Sequence, residues 1–91
     1  MALRWTMQAQ GDLARLHEFL APVHPKLASA AVRAILAGVR RIPIHPRLGR
    51  QLPEYSPREV RRWLAGDYEV RYELRGADVF ILRIWHTQED R

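Results

Sequence analysis

From Gln8 onward the apolar positions fall on a helical period. Ala9, Leu13, Leu16 and Leu20 stand at i, i+4, i+7 and i+11, while Asp12, Arg15 and Glu18 face elsewhere. That stripe predicts an amphipathic helix over about 8–21, with Asp12 in its opening turn at the positive end of the helix dipole. Pro22 and Pro25 interrupt the pattern, and Pro25 suits the first position of a second helix. Val32, Ile35, Leu36, Val39 and Ile42 give that helix an apolar face over about 26–42, and five nearby alanines keep it slim. Gly38 weakens it without stopping it; Pro43 and Pro46 end it.

The flanking segments alternate instead. Leu3-Arg4-Trp5-Thr6 predicts a short strand at about 2–6. Three β-type runs at about 60–65, 68–74 and 79–86 are separated by Gly66-Asp67 and by Arg75-Gly76-Ala77-Asp78, the pattern of an antiparallel meander. In the middle run Tyr68, Val70, Tyr72 and Leu74 occupy one face and Glu69, Arg71, Glu73 and Arg75 the other, which predicts one buried and one wet face. The last run is apolar almost throughout, as a central strand would be. Arg83 is its exception, and a charge there must pair, reach an edge or line a functional surface. Residues 43–58, with four prolines, read as a loop. The expected fold is therefore α+β: one small domain over 1–91, ordered β-α-α-β-β-β, with a helical hairpin packed on a mainly antiparallel four-stranded sheet. Leu13, Leu16, Leu20, Val32, Ile35, Val39, Tyr72, Leu74, Ile81 and Ile84 are its expected core.

Composition narrows the function classes. A hydrophobic fraction of 47% in 91 residues supports a packed core, and the absence of cysteine excludes a disulfide framework or a thiolate metal site. No apolar run approaches membrane-spanning length and no leader-like pattern opens the chain, so a cytoplasmic protein with no membrane partner is expected. Fourteen of the fifteen basic residues are Arg. Residues 40–62 hold seven of them against Glu54 and Glu59, so this quarter of the chain accounts for the whole formal charge of +5. Such a cluster is either a solvated loop or a patch for polyanions and acidic peptides; the planar, permanently charged guanidinium favours the patch.

RNA cleavage by attack of its own 2′-hydroxyl needs a proton acceptor, a proton donor and cations around the phosphorane. His86, whose ordinary pKa lies near neutrality, suits acid or base work, and Glu59 is a second candidate base. Arg61, Arg62, Arg71 and Arg83 are candidate phosphate clamps. The competing readings are a hydrogen-bonded histidine at a strand end and a loop carboxylate paired to a nearby Arg. Trp63, Trp85, Tyr68 and Tyr72 read first as core residues, though aromatics beside Arg also hold single-stranded RNA. His17, His24 and His45 lack metal-ligand spacing, and no Gly-rich phosphate loop or metal motif occurs, so neither a metal nor a cofactor is expected.

Three segments in this order, Pro46-Arg47-Leu48-Gly49-Arg50, Tyr68-Glu69-Val70-Arg71-Tyr72 and the final strand from Ile81 through Arg83 and His86 to Arg91, resemble the RelE/ParE family of toxins. Glu69 stands where the family often has Arg, with Arg71 two positions along on the same strand face. The resemblance implies the toxin of a type II toxin–antitoxin pair, which arrests growth when free of its cognate antitoxin and forms a hetero-oligomer with it. For a ribosome-dependent mRNA endoribonuclease of the RelE kind, it implies His86, Arg62 (or Arg61) and Arg83 as the catalytic group. For a ParE-like poison it implies inhibition of DNA gyrase by binding, the reading favoured by the long helical hairpin and the altered catalytic set. Arg47, Arg50, Arg58, Arg61, Arg62 and Arg71 are the expected contacts to target or antitoxin. Outside the family, the same residues fit a non-toxic nucleic-acid-binding module.

Overall fold

A computed structural model describes residues 1–88. The chain forms β1 (Ala2–Trp5), α1 (Met7–Leu20), α2 (Pro25–Val39), β2 (Arg50–Gln51), a single 3-10 turn (Pro53–Tyr55), β3 (Glu59–Ala65), β4 (Tyr68–Arg75) and β5 (Asp78–His86). One mixed sheet carries the strands in the order β1-β5-β4-β3-β2, with β1 parallel to β5 and every other pair antiparallel. The β3–β4 and β4–β5 connections turn on Gly66 and Gly76, whose φ angles of 60° and 59° lie where only glycine is unstrained. The helical hairpin and the meander are as expected. The sheet, however, has five strands and not four. Its extra member, β2, is two residues long between prolines, too short to show a period.

The helices cover one face of the sheet. Ile35, Val39 and Ile42 pack with Val70, Tyr72, Ile81 and Ile84 in a core that excludes water almost completely. Helix α2 stops at Val39, earlier than the expected 42, and Ile42 enters the core from the turn that follows. Leu13, Leu16, Leu20, Val32 and Leu74, expected in the core, are only partly buried. Two helices cannot shield each other's outer flanks as a second layer would. Gly38 is more than a weak point: a Cβ there would lie 1.9 Å from the Trp63 ring, so its absence is what lets α2 lie on β3.

Helix α1 is capped by Thr6, whose Oγ1 accepts from Ala9 N at 3.1 Å. The same hydroxyl donates to the Ile81 carbonyl at 2.8 Å, just where β1 ends and leaves the outer edge of β5 unpaired. Asp12 takes over from there. Its Oδ2 accepts from Ile84 N at 2.9 Å and from Arg83 Nε at 2.8 Å, and it also pairs with Arg15. Because α1 starts at Met7, Asp12 lies beyond the opening turn; it is buried and closes a strand edge, a role different from the expected dipole contact.

Candidate functional site

On the helix-free face, β4 presents Glu69, Arg71 and Glu73, the side expected to be wet. Both glutamates are in fact buried, at 1% and 3% exposure, beneath the arginines that surround them. Arg58 donates to Glu73 through Nε at 3.1 Å and Nη2 at 2.9 Å, and Arg75 Nη2 adds a bond of 2.9 Å. These bonds, Arg58 first, hold the Glu73 carboxyl below its ordinary pKa against the opposing effect of burial. Arg71 donates to Glu69 at 2.7 Å and to the Tyr55 hydroxyl at 3.0 Å, while Arg62 reaches Glu69 at 3.9 Å. The Trp85 ring lies between two cations, 4.6 Å from the Arg71 guanidinium and 5.1 Å from that of Arg83. Alternation along β4 marked this face correctly but could not show that its carboxylates were covered.

On the helix side the Pro46-to-Arg50 loop is fastened by a latch. The buried Tyr72 hydroxyl donates to the Pro46 carbonyl at 2.8 Å and accepts from Gly49 N at 2.9 Å. Arg61 Nη1 donates to the Gly49 carbonyl at 2.7 Å and Nε to Glu59 at 2.9 Å. A Cβ on Gly49 would meet the Arg62 carbonyl at 2.6 Å. Glu59, bonded by Arg61 and attracted by Arg47, is held below the usual carboxylate range. It is thus the ion-pair partner that the plainer reading expected, with no geometry of a general base. Arg61, only 12% exposed, is a strut of this loop, whereas Arg47, 69% exposed, remains on the surface.

His86 and Arg62 stand on opposite sides of the sheet. In the β4–β5 register His86 lies across from Tyr68, its ring edge-on to the Tyr68 ring at 5.2 Å, and its Nδ1 accepts from Gln88 N at 3.0 Å. Arg62 lies across from Arg71 on the helix-free face. Arg83 is turned toward Asp12. The three expected catalytic residues therefore do not converge on one reacting atom. Among the described residues no cluster of His, Asp and Glu suits a metal ion. Residues 89–91, which the resemblance included, lie outside the described residues.

His86 opens instead onto a groove of about 1390 Å³ between α1, α2 and the end of β5, lined by Leu16, Phe19, Leu20, Leu27, Trp85 and His86 among others. Phe19 in its lining is 82% exposed and Leu27 50%, so the groove presents apolar surface to water. Sequence reasoning missed this groove and Asp12 in its wall. Phe19 departs from the apolar stripe of α1, and that departure was the available signal.

Over residues 3–91 the chain matches the family model described as ParE toxin of type II toxin-antitoxin system, parDE. A chain of the chromosomal ParDE toxin–antitoxin system from P. aeruginosa has the same fold, with a TM-score of 0.79 and 26% identity over 94% of this chain and 95% of that one. No curated protein sequence matches.

Proposed function

Because the chain belongs to the ParE toxins of type II toxin–antitoxin systems, we propose that it arrests growth by binding DNA gyrase in the cytoplasm, without cutting RNA. The observation that carries this reading is the separation of His86 from Arg62 and Arg71. An acid or base on one side of the sheet cannot act on a phosphate clamped on the other, and acid–base catalysis requires hydrogen-bond reach. A binding poison needs no such convergence, only a shaped and charged surface.

The partner is an antitoxin, as the ParDE neighbour suggests. The apolar groove over Leu16, Phe19, Leu20 and Leu27 suits the nonpolar face of a partner helix. Arg40, Arg41, Arg47 and Arg50, all exposed, suit acidic side chains that follow it. Together they would bury the apolar surface that the free toxin leaves to water.

Controlled expression tests the mechanism. Growth arrest should come with DNA breakage and inhibited supercoiling by purified gyrase, and messenger RNA should stay intact. Replacing His86 by Gln should leave the arrest unchanged, whereas a ribonuclease that used it would lose on the order of 10²–10⁴ in rate. Messenger cleavage that disappears in His86→Gln would reject the gyrase reading.

A further inference from the structure

The strand registers set four arginines side by side. Arg50 of β2 pairs with Arg62 of β3, Arg62 with Arg71 of β4, and Arg71 with Arg83 of β5. Paired residues share a face, so a row of arginines crosses four neighbouring strands on the helix-free side, its last guanidinium, that of Arg83, drawn over the β5 edge to Asp12. At a strand spacing of about 4.8 Å the row runs roughly 14 Å. Like charges directly opposite one another destabilise a sheet, and three consecutive pairs of this kind work against folding.

The fold compensates only in part. Glu69 serves Arg71 and, at 3.9 Å, Arg62; Asp12 serves Arg83 from the edge. Arg50 has no ion-pair partner among the described residues, and Arg62 keeps 37% of its side chain exposed. Among the described residues, two carboxylates stand against four guanidinium groups, and Arg50 and Arg62 carry the exposed positive charge. Tyr55 and Trp85 flank its middle, with ring centres 5.8 and 4.6 Å from Arg71. Guanidinium planes beside aromatic rings, on a sheet face that neither helix covers, make a surface on which an unpaired polynucleotide lies, phosphates on the cations and bases against the planes.

We propose that this row is a binding site for single-stranded DNA. The aromatic rings favour one strand over a duplex, since only unstacked bases can lie against them. The choice of DNA over RNA rests on the gyrase reading. Its protein target acts on DNA, and a toxin with a DNA-binding face would engage both parts of that complex. The row meets the apolar groove at Arg83 and Trp85, which line both.

The test is fluorescence anisotropy of a labelled oligo(dT) with the purified, antitoxin-free protein over a series of salt concentrations. With four cations engaged at about 0.7 counterions each, log K should fall against log salt with a slope of up to about −2.8. That amounts to a loss of roughly fifty-fold in affinity between about 50 and 200 mM. Arg50→Gln, at an exposed edge position, and Arg62→Gln should each flatten the slope by about 0.7, while Arg33→Gln on α2 should not change it. Circular dichroism melts establish that each variant is folded, and Arg50→Gln tests the row even if Arg62→Gln unfolds. Slopes unaffected by either substitution would overturn the proposal, as would tighter binding to oligo(U) or to duplex DNA. Gyrase inhibition by a wild-type protein that ignores oligo(dT) would also overturn it and leave the gyrase reading intact. Row-dependent oligo(dT) binding by a protein without effect on gyrase would support the site and remove that reading alone.

Discussion

Replacing Tyr72 by Phe isolates the latch that holds the Pro46-to-Arg50 loop. The ring stays in the core, where it is fully buried, and only the hydroxyl is lost. Two hydrogen bonds go with it. Gly49 N is in a buried residue and would be left without its acceptor, at a cost of about 1–3 kcal/mol. Pro46 is only partly buried, so its carbonyl can recruit water and forfeits about 0.5–1 kcal/mol. Together these predict a destabilisation of roughly 1.5–4 kcal/mol, which for a domain of this size lowers Tm by about 6–30 °C. Urea unfolding followed by tryptophan fluorescence should show a lower midpoint at an unchanged m-value. An alkaline limb gives an independent check. Burial raises the Tyr72 pKa above the ordinary 10.0, so this group's contribution is fully present below that value and is lost as pH rises through the raised one. Stability of the wild type should therefore fall more steeply above pH about 10 than that of Tyr72→Phe. A destabilisation below about 0.5 kcal/mol, with superimposable alkaline limbs, would refute the latch.

Other consequences follow from the same contacts. Ile35→Asp puts an unpaired charge into the fully buried face of α2 and should leave the protein unfolded by circular dichroism; a cooperative melt would contradict that packing. The Glu73 carboxyl, held low by Arg58 and Arg75, contributes stability that is present above the ordinary glutamate range and lost as pH falls through its depressed value. Acid titration of stability should thus be shallower in Arg58→Gln than in the wild type, measured by urea midpoints between pH about 2 and 5.

The sequence by itself determined the order of the two helices and the four longer strands, because helix and strand differ in period and the chain keeps each of those periods long enough to show. Ala9 to Leu20 repeat at helical spacing, Tyr68 to Leu74 alternate, and Pro25 and Gly66 punctuate where the backbone must change direction. It also determined that arginine would supply nearly all of the positive charge, and the motif order pointed to the toxin family. Sequence could not say which arginines were available. Arg61 and Arg62 are adjacent in the chain, but alternation puts the first against the Gly49 loop and the second on the helix-free face. Glu69 and Glu73 read as solvated charges because a strand pattern records which side a residue faces and not what covers that side. Asp12 found its partners 71 and 72 residues away, a distance at which local periodicity carries no information. Only the tertiary structure separated His86 from Arg62 and aligned Arg50, Arg62, Arg71 and Arg83. Register across a sheet is set by packing and hydrogen bonding between strands, which no single strand encodes alone.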